Sequence, residues 1–214
     1  MTLDAAPTTP IILATRSVDK AREIGEILAR GRLVTLADAG VPDDPAENDI
    51  EAFDSFLANA HAKAAYFLRL TGLPTIADDS GICVDALGGA PGVHSRRFAT
   101  GHDLAGIEQD RANNERLLRE LRDAPPETRT AHYACAAVLH TPDGRCFSAL
   151  GTCSGLILLE PRGDGGFGYD PLFLVPDIGR SFGEMSRGEK QQHSHRARAF
   201  RALAGVTSIL DHSA

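Results

Sequence analysis

The order of apolar segments at the start of the chain constrains its fold more strongly than any other feature of the sequence. Residues 10–15 form a short apolar run that predicts a buried strand. Residues 17–30 carry apolar side chains at helical spacing behind a possible Ser17 N-cap, and residues 33–40 predict a second strand. This strand–helix–strand order is typical of the α/β class.

The remaining segments extend this pattern with further strands and helices. Helices are predicted at residues 51–70, 106–122 and 194–211, strands at 73–77, 131–141 and 145–159, a hairpin turn at 142–144, and loops rich in Gly and Pro at 88–98 and 160–171. We therefore predict one α/β domain of two lobes over residues 10–214, built on a mixed β-sheet with flanking helices. Residues 1–9 are expected to form a disordered lead-in.

The charge of the chain limits the partners that it can bind. Its formal net charge of −7 argues against non-specific binding to nucleic acid or to an anionic membrane, because both need a basic surface. No apolar run approaches the ~20 residues that span a bilayer. The N-terminus lacks the basic and apolar regions of a secretory signal, so we expect a cytoplasmic protein.

The cysteines do not show the spacing of a metal-binding motif. The four, at Cys83, Cys135, Cys146 and Cys153, include no C-x-x-C pair. Three of them lie in apolar stretches that resemble strands. Buried free thiols in a reducing compartment are therefore favoured over disulfides or a metal site.

Two adjacent aspartates, Asp78 and Asp79, follow the predicted strand at 73–77, which is where α/β enzymes place their sites. Side chains alternate along an extended chain, so one carboxylate would act directly and the other would orient it. Oxygen ligands beside a phosphate substrate favour Mg²⁺, and Glu51 is the nearest plausible second acidic ligand. A solvated turn is the alternative.

Two lysines are candidates for binding phosphate. Lys20 lies in the first turn of its predicted helix, where a strand, a turn and a helix N-terminus suit an anion. An exposed lysine partly offset by Asp19 is the alternative. Lys63 falls on the apolar stripe of the 51–70 helix, so it needs either a buried partner or a route to solvent. Asn59 lies one turn earlier on the same side, so both side chains are able to reach one site.

The Gly-rich segment at residues 163–168 matches G-x-G-x-x-G, but a strand and not a helix follows it, so we reject dinucleotide binding. The loop is predicted to present Phe167, Tyr169 and Asp170, since a ring beside a carboxylate is able to stack on a base and accept hydrogen bonds. Packed aromatic side chains are the alternative reading of this loop.

Basic side chains cluster at residues 190–196, just before or inside a helix start. His193 and His195 are two residues apart, which places them on different helix faces and argues against a zinc pair. A solvated basic turn is the alternative. Together, the lysines, the acidic pair and the aromatic loop suit one ligand class, a nucleotide whose phosphates bind a metal.

Several segments also occur, in this order, in a known family: ILATRSVDKAREI, NAHAKA, ADDSGICVDALGGAPGVHSRRFA, GGFGYDPLF and KQQHSHRARA. Over roughly residues 10–204 the chain resembles the inosine triphosphate pyrophosphatase family of noncanonical purine nucleotide pyrophosphatases. The resemblance implies Mg²⁺-dependent hydrolysis of ITP, dITP and XTP to the monophosphate and pyrophosphate. It also implies a homodimer with an elongated α/β fold and an active-site cleft between the two lobes.

The resemblance further implies roles for individual residues. Asp79 is expected to be the general base and a metal ligand, with Glu51 as the second ligand. The expected substrate-binding residues are Thr15, Arg16, Ser17, Lys20, Asn59, Lys63, Ser80, Phe167, Gly168, Tyr169, Asp170, Lys190, His195 and Arg196. Among them Thr15, Lys20, Lys63 and Lys190 would bind the triphosphate, while Phe167–Asp170 with His195 and Arg196 would recognise the base.

The chain departs from the family pattern at three places. The first loop, usually T-G-N-x-G-K, reads TRSVDK at residues 15–20, which replaces both glycines and offers Arg16 as a further cation. Residues 50–53 read IEAF where the family favours EETG, and residues 95–98 read SRRF where it usually has SARY.

Two rival functions follow from the same residues. One is a pyrophosphatase for another nucleotide, such as dTTP or UTP. The other is a nucleotide-binding sensor without turnover, which the altered first loop makes conceivable.

Overall fold

The computed structural model describes residues 9–28, 33–99 and 104–210. Its strands are β1 (Ile11–Ala14), β2 (Leu33–Thr35), β3 (Thr75–Val84), β4 (Thr130–His140), β5 (Cys146–Ile157), β6 (Phe173–Val175) and β7 (Arg180–Ser181). Its α-helices are α1 (Val18–Leu28), α2 (Phe56–Thr71), α3 (Gly106–Glu120), α4 (Arg187–His193) and α5 (His195–Leu210). The predicted lead-in at residues 1–9 falls almost entirely outside the described residues and stays a prediction.

The strands form one mixed sheet in the order β2-β1-β3-β4-β5-β6-β7. Strand β1 runs parallel to β2 and β3, with Ile12 opposite Val34 on one side and Thr75 on the other. Strand β6 is antiparallel to β5 and β7. The predicted α/β class, mixed sheet and flanking helices are therefore confirmed.

The chain divides into two compact units. The first comprises Met1–Asp79, Ala136–Ala149 and Phe200–Ala214, and the second comprises Ser80–Cys135 and Leu150–Ala199. Strands β3, β4 and β5 each contribute residues to both units. The predicted cleft between two lobes stays a prediction.

Small side chains dominate the core of the first unit, where α2 packs on the sheet. The buried cluster contains Ile12, Ala14, Leu36, Ala60, Ala64, Phe67, Ala77, Ala136 and Val138. Helix α2 begins at its N-cap Ser55, whose side chain accepts a hydrogen bond from the Ala58 amide, and ends at the left-handed Gly72. The prediction of a helix from residue 51 was wrong at this end, so Glu51 precedes α2 and is not part of it.

Larger aromatic side chains fill the core of the second unit. The rings of Tyr133, Phe173 and Phe182 pack against one another: the centroids of Phe173 and Phe182 lie 4.7 and 6.0 Å from that of Tyr133 and 5.1 Å apart. Neither β7 nor α4 was predicted. Helix α4 nevertheless opens with a capping box, since Ser186 and Glu189 bond each other's backbone amides, and this S-x-x-E spacing was visible in the sequence.

The four cysteines are all free. Cys135 and Cys153 are buried as predicted and Cys83 is half-buried, but Cys146 is exposed, so the prediction was wrong there. Among the described residues no helix is long and apolar enough to cross a membrane.

Candidate active site

The two aspartates of β3 are buried carboxylates. Asp78 is 0% exposed and Asp79 is 6% exposed, which excludes the solvated turn. They contact different residues: Asp78 forms an ion pair with Lys20 Nζ at 3.3 Å, and Asp79 Oδ2 accepts a hydrogen bond from Asn59 Nδ2 at 3.0 Å. The sequence placed the pair after a strand. The structure corrects this, because β3 continues through both aspartates to Val84.

Helix α1 places Lys20 beside this pair. The Lys20 amide donates to Ser17 Oγ at 3.3 Å, so Ser17 caps the helix as predicted, and the Ser17 amide donates to Thr15 Oγ1 at 3.2 Å. The capped turn leaves the ammonium group of Lys20 next to a fully buried carboxylate. The alternative of an exposed surface lysine is therefore excluded.

Lys63 pairs with a carboxylate on the segment before α2. Its ammonium group donates a hydrogen bond to the carboxylate of Glu51 and forms an ion pair with it. The Lys63 side chain is 13% exposed, so it does not reach out to solvent. This contact brings the second predicted metal ligand to the helix that carries Lys63.

Asn59 connects Asp79 to that same segment. Its side-chain oxygen Oδ1 accepts a hydrogen bond from the Phe53 amide at 2.9 Å. Its Nδ2 donates to Phe53 O and to Asp79 Oδ2, both at 3.0 Å. Asn59 therefore fixes the backbone near Glu51 relative to β3. We call Lys20, Glu51, Asn59, Lys63, Asp78 and Asp79 the acidic–lysine cluster; all six lie in the first unit.

The lysines and carboxylates of this cluster shift each other's proton affinity. Burial alone would raise the pKa of Glu51, but Lys63 and Lys20 outweigh it and the pKa falls below its usual value. Burial would lower the pKa of Lys63, but Glu51, Asp78 and Asp79 outweigh it and raise the pKa. For Asp79, burial outweighs the two lysines, so its pKa is raised. Burial therefore makes Asp79 a better proton acceptor than an aspartate in water.

The donor set of the cluster fits a hard divalent cation. Its three carboxylates carry one more charge than its two lysines neutralise, and carboxylate oxygens are the ligands that Mg²⁺ prefers. The cluster contains no thiolate or imidazole. Glu51 and Asp79 are the residues that would hold such an ion.

The described contacts of Arg16 are with residues outside this cluster. Its guanidinium bonds the Glu47 carboxylate at 2.6 and 3.0 Å and donates to the carbonyls of Val41 and Pro42. It also lies 5.8 Å from the ring centroid of Phe67. These contacts anchor the segment after β2, and the substrate contact expected of Arg16 stays a prediction.

A second group of expected site residues surrounds Asp170 in the second unit. Asp170 is 2% exposed and accepts hydrogen bonds from the Phe167 amide at 2.8 Å and from Lys190 Nζ at 2.5 Å. Lys190 Nζ also lies 4.6 Å from the centroid of the Phe167 ring. Lys190 was expected to bind the triphosphate, but it contacts Phe167 and Asp170, which were expected to recognise the nucleobase.

Glycines allow this loop to close on Asp170. Gly166 has φ +74°, and a Cβ there would lie 2.1 Å from Asp170 Oδ2. A strand follows the loop, after one turn of 3₁₀ helix, and no α-helix opens at Gly168, which agrees with rejecting the dinucleotide motif. The Gly168 peptide is held by α3, since its amide donates to Asp110 Oδ2 at 2.7 Å and its carbonyl accepts from Asn114 Nδ2 at 2.9 Å. Sequence reasoning missed Asp110 and Asn114, although their i,i+4 spacing puts them on one helix face.

Tyr169 is not presented to solvent. It is 4% exposed, and its hydroxyl donates to the Ser95 carbonyl at 2.8 Å. The expectation that the loop presents Tyr169 and Asp170 was wrong, because both side chains are used to close the loop. Phe167, at intermediate exposure, is the ring of this loop that remains partly accessible.

The start of α5 adds two buried side chains, His195 and Arg196. The ring of His195 stacks on Tyr133 with centroids 4.5 Å apart and an angle of 6°. Arg196 Nη2 donates to Ser80 Oγ at 2.9 Å, and its guanidinium lies 5.6 Å from the Phe167 ring. Because Lys190, His195 and Arg196 are all at least 94% buried, the solvated basic turn is excluded. We call Ser80, Phe167, Asp170, Lys190, His195 and Arg196 the Phe167 cluster.

Comparison with known proteins identifies relatives over almost the whole chain. A model of the Ham1 family matches residues 11–206. The chain is 45% identical over 195 residues to a dITP/XTP pyrophosphatase of Thermus thermophilus, covering 90% of this chain and 89% of that protein.

Solved structures agree with this match. A HAM1 protein from Coxiella burnetii is 34% identical with a TM-score of 0.80, covering 94% of this chain and 99% of that one. A nucleoside-triphosphatase, or dITP/XTP pyrophosphatase, from Mycobacterium abscessus is 38% identical with a TM-score of 0.70, covering 92% and 98%. The chain belongs to the Ham1 family.

Proposed function

We propose that this chain hydrolyses the noncanonical purine nucleoside triphosphates ITP, dITP and XTP to the monophosphate and pyrophosphate. The observation that carries the proposal is the acidic–lysine cluster, in which two partly buried lysines and three carboxylates combine phosphate and cation ligands. Membership of the Ham1 family and the 45% identity to a dITP/XTP pyrophosphatase support it.

Asp79 is the proposed general base. It accepts a proton from the water that attacks the α-phosphorus, and pyrophosphate leaves. Its buried position raises its pKa, which brings its proton affinity closer to that needed at neutral pH. The hydrogen bond from Asn59 Nδ2 to Oδ2 orients the carboxylate of Asp79.

Lys20 and Lys63 are the proposed phosphate ligands. In the structure each ammonium group pairs with a carboxylate, Lys20 with Asp78 and Lys63 with Glu51. In the substrate complex both would exchange carboxylate for phosphate oxygens, where their charge stabilises the negative charge that develops on the leaving pyrophosphate.

We include Mg²⁺ in the proposal, held by Glu51 and Asp79. When bound, it would neutralise charge on the phosphate oxygens and acidify a water ligand. The excess of carboxylates over lysines in the cluster supports this assignment.

The Phe167 cluster is the proposed base-recognition set. The partly exposed ring of Phe167 offers a stacking surface, and the donors of His195 and Arg196 suit the 6-oxo acceptor of hypoxanthine and xanthine. Adenine carries a 6-amino donor, which would leave a buried donor unpaired. Guanine shares the 6-oxo group, so rejection of GTP requires a steric limit at its 2-amino group.

A substrate panel tests the activity. Phosphate release would be followed with inorganic pyrophosphatase added, at fixed Mg²⁺, for ITP, dITP, XTP, GTP, dTTP and UTP. We expect the first three to turn over fastest and chelation of the metal to stop all turnover. Faster hydrolysis of dTTP or UTP would instead assign another pyrophosphatase activity, and nucleotide binding without metal-dependent release would identify a sensor.

The proposal extends to a homodimer in the cytoplasm. The dimer follows from the family resemblance, and the four free thiols suit a reducing compartment. Light scattering on the purified chain would give twice the 22.8 kDa chain mass for the dimer, and a value near one chain mass would contradict it.

A further inference from the structure

Three metal-ligating side chains meet in the first unit at a place that the proposed reaction does not use. His61 Nδ1 lies 2.9 Å from His140 Nε2 and 3.5 Å from Cys146 Sγ. All three ligand atoms lie within 4.8 Å of one another. None of these residues belongs to the acidic–lysine cluster.

The fold brings these side chains together from distant parts of the sequence. Thr141 N donates to Arg145 O across the β4–β5 hairpin, so His140 and Cys146 form the next cross-strand pair. Ala136 and Val138 of β4 pack against α2, and alternation along the strand puts His140 on that same face. His61 of α2 therefore contacts His140 at the end of β4, on the face of the strand that packs against the helix.

Two of the three separations are close to those in a four-coordinate zinc site. With Zn–S of about 2.3 Å and Zn–N of about 2.0–2.1 Å, tetrahedral angles place sulfur about 3.5 Å from nitrogen and the two nitrogens about 3.3 Å apart. The observed Sγ···Nδ1 distance is 3.5 Å, and the nitrogens at 2.9 Å need to separate by only a few tenths of an ångström. The third separation, from Cys146 Sγ to the His140 ligand nitrogen, is within 4.8 Å, so side-chain rotation would bring all three atoms to corners of a tetrahedron.

The exposure of the site also suits a metal. Metal binding needs neutral imidazoles and a thiolate, so an ion bound here would displace the proton of the Cys146 thiol. Cys146 is exposed, so the fourth position of an ion there is open to water.

We propose that His61, His140 and Cys146 form a site for a thiolate- and imidazole-binding divalent transition metal, with Zn²⁺ as the expected ion. Imidazole and thiolate ligands select Zn²⁺ over Mg²⁺, which prefers oxygen. The site is distinct from the proposed Mg²⁺ ligands Glu51 and Asp79, and it does not rest on the proposed function.

Cobalt titration of the reduced, metal-free chain tests the proposal, with Mg²⁺ in excess to occupy carboxylate sites. Co²⁺ bound by Cys146 would give a thiolate-to-metal charge-transfer band and the intense visible bands of four-coordinate Co²⁺. We expect one equivalent to bind and Zn²⁺ to displace it. Absence of the band would overturn the proposal.

Variants assign the ligands. Cys146→Ser should abolish the charge-transfer band, and His61→Gln or His140→Gln should weaken Zn²⁺ binding by more than about 100-fold, because even indirect partners of metal ligands contribute 10–100-fold. The matched control Cys83→Ser changes a half-buried thiol outside the cluster and should bind as the parent chain does. A band that survives in Cys146→Ser, or that is lost in Cys83→Ser, would refute the assignment.

A measurement on the unaltered chain guards against variants that fail to fold. Zn²⁺ should slow alkylation of Cys146 at least tenfold, as followed by mass spectrometry of that peptide, while alkylation of Cys83 keeps its rate. Equal alkylation of Cys146 with and without Zn²⁺ would contradict the proposal.

Discussion

The acidic–lysine cluster and the Phe167 cluster both pair a lysine with a buried carboxylate, yet they balance charge differently. In the first unit, Lys20 and Lys63 face three carboxylates, so one negative charge is left over. In the second, the single carboxylate of Asp170 pairs with Lys190, which also lies 4.6 and 5.7 Å from the ring centroids of Phe167 and Phe182, and Arg196 adds a second positive charge. An excess of carboxylate charge suits a site that binds a cation. The ion pair of Lys190 and Asp170, close to aromatic rings, instead suits a loop that stays closed.

The largest effect on activity is expected when the charge of Asp79 is removed, because Asp79 belongs to the cluster with the excess of carboxylates. Asp79→Asn keeps an acceptor for Asn59 Nδ2 but removes the proposed base, so kcat with ITP should fall by about 10²–10⁴-fold. Because burial raises the pKa of Asp79, its charge is unfavourable in the folded protein, and the variant should be at least as stable near neutral pH. Phosphate release and urea unfolding measure the two effects. Asp123→Asn, on an exposed aspartate, is the control, and near-normal turnover of Asp79→Asn would reject the assignment.

The second prediction compares the two kinds of lysine by stability. Lys190→Met leaves Asp170 buried without its cation, and breaking a buried pair costs about 3–5 kcal/mol. Lys63→Met should reduce the free energy of unfolding by less, because Glu51 is 30% exposed and water is able to solvate it. Relative to this smaller loss of stability, its decrease in kcat/KM should be larger than that of Lys190→Met. Urea unfolding and steady-state kinetics on both variants check this ranking.

The double variant Lys190→Met, Asp170→Asn serves as the control for the second prediction. It removes both charges and should regain part of the stability lost in Lys190→Met. If Lys63→Met proves the more destabilising single change, the distinction between an open cluster and a closed one is wrong.

The third prediction concerns closure of the loop over Asp170. Gly166→Ala places a methyl group into Asp170 at a residue with φ +74°, so it should destabilise the protein by about 1–3 kcal/mol and raise KM more than it lowers kcat. Gly188→Ala is the matched control, since a Cβ there meets nothing within 4 Å, and alanine in α4 should be neutral or stabilising. Equal effects of the two substitutions would show that the loop does not depend on this close approach.

The smallest expected effect is a difference in pH dependence within the acidic–lysine cluster. The pKa of Glu51 is lowered on folding, so its contribution is present above its unfolded pKa and is lost as pH falls through the folded pKa. The pKa of Asp79 is raised, so wild-type stability decreases as pH rises from the unfolded to the folded pKa of this group. From acid to neutral pH, Glu51→Gln should therefore lose stability relative to wild type while Asp79→Asn gains it. Urea unfolding at a series of pH values tests these opposite signs, and parallel curves would contradict them.

The sequence predicted what local patterns determine. Apolar spacing was enough for the strand–helix–strand start, and the predicted helix at 106–122 agrees closely with α3 at Gly106–Glu120. The capping box of α4 is equally local, but it was overlooked.

The remaining features depend on partners far along the chain. The acidic pair was predicted to follow a strand at residues 73–77, whereas contacts with the distant Lys20 and Asn59 stabilise its burial inside β3. No local pattern reveals that Tyr169 turns inward to Ser95, 74 residues away, or that Cys146 meets His61, 85 residues away. Contacts over such separations require the fold itself.

The side-chain amide of Asn59 links the conformation of the segment before α2 to that of Asp79. The same Nδ2 group bonds Phe53 O and Asp79 Oδ2, and Asn59 Oδ1 receives the Phe53 amide. We therefore expect a ligand that holds Asp79 in place also to favour order in this segment, which carries Glu51. The exchange rate of the Phe53 amide hydrogen is then a direct gauge of occupancy at Asp79, and it should fall when nucleotide and metal bind.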